Sequence, residues 1–172
     1  MALIHRLGER DRALFDRLRL DNNSHRQWCA LAVGLTHLGS AGTTIALALA
    51  PLLVPGWHVI GRHALYTLVL SHVFVQLVKR TVSRPRPSCA LGDAPLICVP
   101  DRFSFPSGHA AAAVSIALAY SAACPEFAIA ILALAGVVGA TRVALGVHYP
   151  GDVAAGQSIA VATHLILTHF NI

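Results

Sequence analysis

The stretch Phe105-Pro106-Ser107-Gly108-His109, followed by four alanines at 110–113, is the part of the sequence that decides the fold. A proline and a small polar residue in front of an apolar run indicate the start of a helix. The first turn of a helix presents unpaired backbone N–H groups and the positive end of the helix dipole, so it can hold an anion. Ser107 adds a hydroxyl group, Gly108 allows close backbone approach, and His109 titrates near neutral pH. By itself, the stretch fits an ordinary helix cap beside a histidine equally well.

Two further stretches carry charge within an otherwise apolar chain. Upstream, residues 79–87 hold four cations, namely Lys79, Arg80, Arg84 and Arg86. Downstream, residues 141–152 include Arg142, His148 and Asp152. Because His148 and Asp152 are four residues apart, they would share one face of a helix if His148 caps it, and the carboxylate could then accept a hydrogen bond from one ring nitrogen. Alone, this pair also fits a structural cap, and positive-inside topology accounts for some of the cations.

Composition indicates a membrane protein of a single domain. The 172 residues are 55% hydrophobic and 12% charged, whereas a soluble domain has about 25% charged residues. The net charge of +5 falls largely on the N-terminal segment and on the two charged stretches, which favours contact with a membrane surface and with phosphate. No nucleic-acid partner is expected, because basic and aromatic residues do not interleave. No zinc-binding pattern appears, and we expect no metal or other cofactor.

Five apolar runs are long enough to predict transmembrane helices, since about 20 residues cross a bilayer core. They lie at residues 28–54, 58–78, 107–124, 127–147 and 152–170. Residues 1–24 alternate apolar side chains with arginines at helical spacing, which predicts an amphipathic interfacial helix; a helix packed on protein is the alternative. Residues 79–106 form the predicted active-site loop. The predicted fold is therefore an all-α membrane bundle.

The number of crossings places all three motifs on one face of the membrane. The second span ends at Lys79, the third begins at Ser107, the fourth ends at Arg142 and the fifth begins just after His148. Charges this close to the hydrocarbon are costly unless they are paired or functional. Phosphoryl transfer needs cations on the phosphoryl oxygens and an in-line nucleophile, and this set of side chains could supply both.

Read in order, the motifs are Lys-x6-Arg-Pro, Pro-Ser-Gly-His and Arg-x5-His-x3-Asp. This order resembles the type 2 phosphatidic acid phosphatase family, which belongs with the acid phosphatases and vanadium haloperoxidases. Thr141 stands where the family usually has serine, but it keeps the hydroxyl group. The resemblance implies that His148 is the nucleophile, that Asp152 orients it and that His109 protonates the leaving group. It also implies phosphate binding by Lys79, Arg86, Ser107, Gly108 and Arg142.

The expected function is hydrolysis of a membrane lipid phosphomonoester or diphosphate through a phosphohistidine, without metal. A polyprenyl diphosphate such as undecaprenyl diphosphate is the leading substrate, followed by phosphatidate and phosphatidylglycerophosphate. Two alternatives stay open: a vanadate-dependent haloperoxidase, and a non-catalytic protein that binds or transports lipid phosphates. The expected partners are the bilayer and the lipid substrate, and the oligomeric state is open.

Two signals conflict over the side of the membrane that carries the site. The arginine-rich N-terminus shares a face with the site, which favours the cytoplasm. Cys89 and Cys98 flank a Gly- and Pro-containing loop, and a disulfide between them would suit an oxidising compartment; two free thiols are the alternative. Family resemblance also favours an outward site. We therefore expect a Cys89–Cys98 disulfide and a site facing the periplasm or exterior of a bacterial cell membrane.

Overall fold

The computed structural model describes residues 2–20, 26–88, 96–97 and 101–171, with side chains described from Gly8 onward. The described residues form α-helices joined by short turns, with no β-strand among them, so the predicted all-α class is confirmed. The helices are α1 (Ala2–Leu18), α2 (Arg26–Thr36), α3 (Ala41–Leu49), α4 (His58–Val82), α5 (Gly108–Ala123), α6 (Ala128–Ala144) and α7 (Pro150–His169).

Helix α5 is the centre of the bundle and packs against α4, α6 and α7. It begins where the sequence predicts, because Ser107 is extended and its Oγ accepts a hydrogen bond of 3.4 Å from the Ala110 amide. Residues 110–117 are buried on all sides. Most of them are alanine, and small side chains let neighbouring helices approach closely.

The first predicted span, 28–54, is not one helix. It is divided into α2 and α3, which are bent by 45° at a 3-10 turn over His37–Gly39. Ser40 starts the second half, since its Oγ caps the Thr43 amide and its carbonyl accepts the Thr44 hydroxyl. A side chain at Gly39 would lie 2.9 Å from the His109 carbonyl oxygen. The bend therefore brings the first span against the start of α5.

Other helix boundaries differ from the predicted spans by a few residues. Helix α4 continues to Val82, so Lys79 lies in its last turn, and Ser83 ends it in a left-handed conformation with φ of 50°. Helix α7 starts at Pro150 with Tyr149 as its N-cap, so His148 precedes the cap instead of forming it. Helix α6 ends at Ala144 instead of continuing to Val147, which leaves residues 145–149 as the connection that carries His148.

Length and composition identify fewer membrane spans than five. Among the described helices, Pro125–Ala144 is long and apolar enough to cross a bilayer, and the bent segment Arg26–Leu53 adds a second if it counts as one span. Helix α5 is apolar but has only 16 residues. Polar side chains such as those of His72 and His164 lower the hydropathy of α4 and α7. The count of five spans is therefore not confirmed.

Helix α1 is docked on the bundle at the end where the motifs meet. The Phe15 side chain is 1% exposed, and its ring centroid lies 5.3 Å from that of Tyr149. The Gly151 amide donates a hydrogen bond of 2.7 Å to Asp11 Oδ1. Leu14 and Leu18 stay exposed. One side of the helix is thus packed on protein and an apolar edge faces outward, and its position at a membrane surface stays a prediction.

We predict that Gly156→Ala destabilises the protein, whereas Gly136→Ala does not. A methyl group at Gly156 would overlap the backbone carbonyl of Ser107, but at Gly136 nothing lies within 4 Å. Overpacking of this kind costs about 1–3 kcal/mol, while replacing an unhindered helical glycine by alanine gains up to about 1 kcal/mol. Thermal unfolding in detergent should therefore show a lower midpoint for Gly156→Ala alone. Equal midpoints for the two variants would contradict this packing.

Candidate active site

A cavity of about 440 Å³ opens between α3, α4 and α5 where the three motifs meet. Six of the eight predicted site residues line it, namely Lys79, Arg86, Gly108, His109, Arg142 and His148. Farther along α3 and α4 the wall is largely apolar, with side chains such as Ile45, Leu65, Leu68 and Val73. The cavity therefore joins a cationic end to an apolar channel.

Arg86 is the most highly connected side chain at the cationic end. Its Nε donates to the Asp101 carbonyl at 2.9 Å, and its Nη2 donates to Asp101 Oδ1 at 2.7 Å. Its Nη1 donates to the Val147 carbonyl at 2.8 Å and lies 3.2 Å from His148 Nε2. A single buried guanidinium thus links the first motif to the third.

Asp101 is a site residue that the sequence analysis missed. Its carboxylate accepts from Lys79 Nζ at 2.7 Å through Oδ2, while Oδ1 accepts from Arg86. Partial burial alone would raise the pKa of this carboxyl, but the hydrogen bonds from Lys79 and Arg86 outweigh burial and hold the pKa below its usual value. Asp101 therefore carries a negative charge between two predicted phosphate ligands.

Arg142 is the third cation of the site, and its backbone also holds the connection that carries His148. Its Nη1 donates to Thr36 Oγ1 at 2.8 Å, and its backbone carbonyl accepts the amides of Val147 and His148, each at 3.2 Å. Its Nε is buried and has no hydrogen-bond partner among the described residues. The guanidinium thus keeps unused donors beside the cavity.

His148 is 2% exposed, and its two ring nitrogens face different groups. Because Arg86 Nη1 donates toward Nε2, we assign the proton to Nδ1, which lies 3.6 Å from Asp152 Oδ2. That separation is longer than a hydrogen bond, so we attribute the effect of Asp152 on the ring to its charge. Burial, together with the charges of Arg86 and Arg142, lowers the pKa of His148 to about 4 against the opposing effect of the Asp152 carboxylate. The imidazole is therefore neutral near pH 7, and its Nε2 lone pair accepts from Arg86 Nη1 at the cavity wall.

Asp152 is completely buried behind His148 and is held by an ion pair with Arg84, one of the cations that positive-inside topology could also explain. Arg84 Nη1 donates to Asp152 Oδ1 at 2.7 Å, and Arg84 Nη2 lies 2.8 Å from Asp11 Oδ2. Burial alone would lower the pKa of Arg84, but the two carboxylates outweigh it and raise that pKa. The Tyr149 amide donates to Asp152 Oδ2 at 2.8 Å. The carboxylate is thus fixed from two sides.

Ser107 lies behind the cavity and is not among its lining residues. Its Oγ caps α5, its amide donates to the Asp152 carbonyl at 2.8 Å, and the side chain is buried. Gly108 and His109 follow it in the first turn, where helical N–H groups have no intrahelical acceptor. The structure therefore places the backbone of Gly108, and not the Ser107 hydroxyl, at the cavity wall.

Asp11, Thr36 and Asp101 are not predicted from the sequence, because each lies outside the three motifs. Asp101 stands eight residues before His109, and its only signal in the sequence is an acidic residue in the segment that joins the first two motifs. Cys89 and Cys98, the expected disulfide, lie outside the described residues. Within those residues, no group of three or more His, Cys, Asp or Glu side chains is placed to hold a metal ion.

Residues 60–171 match the model of the PAP2 superfamily. The chain is 34% identical over 152 residues to a decaprenylphosphoryl-5-phosphoribose phosphatase of Mycobacterium tuberculosis, covering 80% of this chain and 77% of that one. It is 35% identical over 102 residues to a lipid A 1-phosphatase of Rhizobium johnstonii, of which the match spans only 42%.

Two solved structures share the architecture. A transmembrane PAP2-type phosphatidylglycerolphosphate phosphatase from Bacillus subtilis matches with a TM-score of 0.78 at 25% identity, covering 99% of this chain and 89% of that one. LpxE from Aquifex aeolicus matches with a TM-score of 0.78 at 27% identity, covering 90% and 92%.

We predict that Arg84→Met lowers the stability of the protein substantially. Without the guanidinium, Asp152 keeps a buried charge that has lost its ion-pair partner, and such a loss costs about 2–4 kcal/mol for a partly exposed partner. Arg80→Met is the matched control, because Arg80 is exposed and makes no ion pair with a described residue. Thermal unfolding in detergent measures both variants. A midpoint for Arg84→Met equal to that of the control would show that the pair does not hold Asp152 in place.

Proposed function

Since the chain belongs to the PAP2 superfamily, we propose that it is a membrane lipid phosphatase that hydrolyses a phosphomonoester or diphosphate without a metal ion. The observation that carries the proposal is the junction of three buried cations and two histidines with an apolar channel. A phosphorylated lipid has the same two parts, a compact anion and a long hydrocarbon chain.

Lys79, Arg86 and Arg142 are the proposed phosphate ligands. Arginine binds phosphate oxygens through two parallel N–H groups, and lysine acts as a point charge. All three side chains line the cavity and are nearly buried, where charge interactions are stronger than in water. The first-turn N–H groups at Gly108 would add neutral donors. These groups would neutralise the phosphoryl oxygens as charge develops on them.

His148 is the proposed nucleophile. Its Nε2 lone pair would form a bond to phosphorus while the bond between phosphorus and the lipid oxygen breaks. His109 would give a proton to the departing oxygen, since it lines the same cavity. Asp152 would stabilise the positive charge that the ring gains as the phosphohistidine forms, and would hold the Nδ1–H tautomer.

A water molecule would complete the reaction. Its oxygen would attack phosphorus, its proton would pass to His109, and the N–P bond would break to release orthophosphate and neutral His148. His109 would thereby recover the proton it gave to the leaving group, so the cycle leaves both histidines unchanged.

The lipid would approach from the bilayer with its chain along α3 and α4. Relatives named as phosphatases of lipid A and of a decaprenyl-linked phosphoribose support a large lipid carrier. We propose a polyprenyl phosphate or diphosphate as substrate, with phosphatidate and phosphatidylglycerophosphate as further candidates. Five crossings, an outward-facing site and residence in a bacterial cell membrane stay predictions from the sequence.

Purified protein should release phosphate from lipid phosphates in the presence of EDTA, and vanadate should inhibit it. Side-chain cations would neutralise the phosphoryl oxygens, as a metal ion does in other phosphatases. Vanadate should inhibit because it adopts the five-coordinate geometry of the transition state of phosphoryl transfer. A colorimetric phosphate assay on a panel of lipid phosphates measures both effects. Complete loss of activity in EDTA that Mg²⁺ restores would contradict the proposed mechanism.

We expect His148→Ala to abolish turnover and His109→Ala to slow it selectively. General acid help is typically worth about 10²–10⁴-fold, but it matters least for a leaving group that departs without a proton. The loss in His109→Ala should therefore be large on an alkyl phosphate and small on a nitrophenyl phosphate. An equal loss on both substrates would contradict the proposed role of His109 as general acid. Thermal unfolding would verify that both variants are folded.

A further inference from the structure

We propose that Asp101 determines which phosphate groups the site accepts, favouring a dianionic phosphomonoester over a more highly charged diphosphate. Its carboxylate engages the N–H donors of Lys79 and Arg86 that a substrate would use. The inference rests on the proposed phosphatase function and narrows its substrate class.

The donors of Arg86 are almost fully engaged by protein acceptors. A guanidinium has five N–H groups. One on Nε and one on Nη2 go to Asp101, and two on Nη1 are directed at the Val147 carbonyl and at His148 Nε2. A single N–H on Nη2 is left over. A phosphate that binds Arg86 through two N–H groups must therefore displace His148 Nε2, the Val147 carbonyl or the Asp101 carboxylate. Of these three, only displacement of the Asp101 carboxylate also frees a donor of Lys79.

Lys79 leads to the same conclusion. Its ammonium group has three N–H donors, of which one goes to Asp101 Oδ2 at 2.7 Å and a second to the Phe103 carbonyl at 3.4 Å. The short bond is again the one to Asp101. Each oxygen of this carboxylate thus contacts one of the two cations, as two oxygens of a phosphate would.

Exposure differs sharply between the carboxylate and its partners. The Asp101 side chain is 42% exposed, whereas Lys79 and Arg86 are nearly buried. The two cations have little contact with solvent, whereas Asp101 can turn toward solvent, and hydration would offset part of the loss of its two hydrogen bonds. When an anion binds, Asp101 is therefore the side chain that moves away, while Lys79 and Arg86 stay in place.

The net charge of the side chains that line the cavity determines which anion binds most favourably. Among the described residues that line the cavity, the permanently charged ones are Lys79, Arg86, Arg142 and Asp101. Three positive charges and one negative charge leave a net charge of +2, which matches a phosphomonoester near −2 at neutral pH. A diphosphate brings at least one further negative charge and meets repulsion from Asp101 at close range.

The test compares Asp101→Asn with the parent protein on a prenyl monophosphate and a prenyl diphosphate of equal chain length. Asparagine keeps the shape and removes the charge. Relative to the monophosphate, kcat/KM for the diphosphate should rise roughly three- to tenfold, mainly through KM, as expected for loss of one partly solvated charge contact. Glu126→Gln is the matched control, because it removes one negative charge from an exposed turn far from the cavity.

Two further measurements keep the inference falsifiable. Asp101→Glu retains the charge, so its preference between the two substrates should stay within about twofold of the parent; a shift as large as in Asp101→Asn would show that shape decides, and would overturn the inference. Orthophosphate should raise the thermal-unfolding midpoint of Asp101→Asn at lower concentration than that of the parent. Weaker protection of Asp101→Asn by orthophosphate would show that Asp101 only positions the cations.

The outcomes separate this inference from the proposed function. A protein that hydrolyses no lipid phosphate would refute the phosphatase proposal, while protection by orthophosphate would still report on Asp101. An active protein whose substrate preference is unchanged in Asp101→Asn would refute the role of Asp101 alone.

Discussion

The structure depends on keeping charged side chains inside the end of an apolar helical bundle. An unpaired charge in such a place costs several kcal/mol or more, so every cation needs an acceptor that reaches it. Arg84 has two carboxylates, Arg86 has Asp101 with two backbone carbonyls, and Arg142 has the Thr36 hydroxyl. These acceptors come from α1, α2, the loop before α5, the connection between α6 and α7, and the first turn of α7. The peripheral elements of the fold are thus held in place by the charges at its centre.

The same requirement accounts for the charged groups that surround His148. Its ring lies between Arg86, which is directed at Nε2, and Asp152, which faces Nδ1. Asp152 is in turn fixed by Arg84 and by the Tyr149 amide at the start of α7. In the proposed mechanism the nucleophile therefore needs no reorientation of its own, and the group that must move is the arginine on its reactive nitrogen.

Much of the arrangement could be predicted from the sequence, because motifs at helix ends meet wherever apolar helices cross in order. The start of α5 at Ser107 and the meeting of Lys79, Arg86, His109, Arg142 and His148 followed from that rule. The bend at Gly39 could not be foreseen, since a glycine beside a serine in an apolar run is compatible with a straight span. Asp101 and Thr36 were missed for a related reason: their partners are distant in the chain, and only the packed structure brings them together.

The bend in the first span also limits how far the chain can be truncated without losing part of the site. The region that matches the superfamily starts at residue 60, yet Thr36 and Gly39 lie before it and contact Arg142 and the backbone of His109. A fragment restricted to the matched region would contain every motif residue but would lack the acceptor for one of its cations. For this chain, the boundary drawn by sequence similarity is therefore narrower than the boundary of the working site.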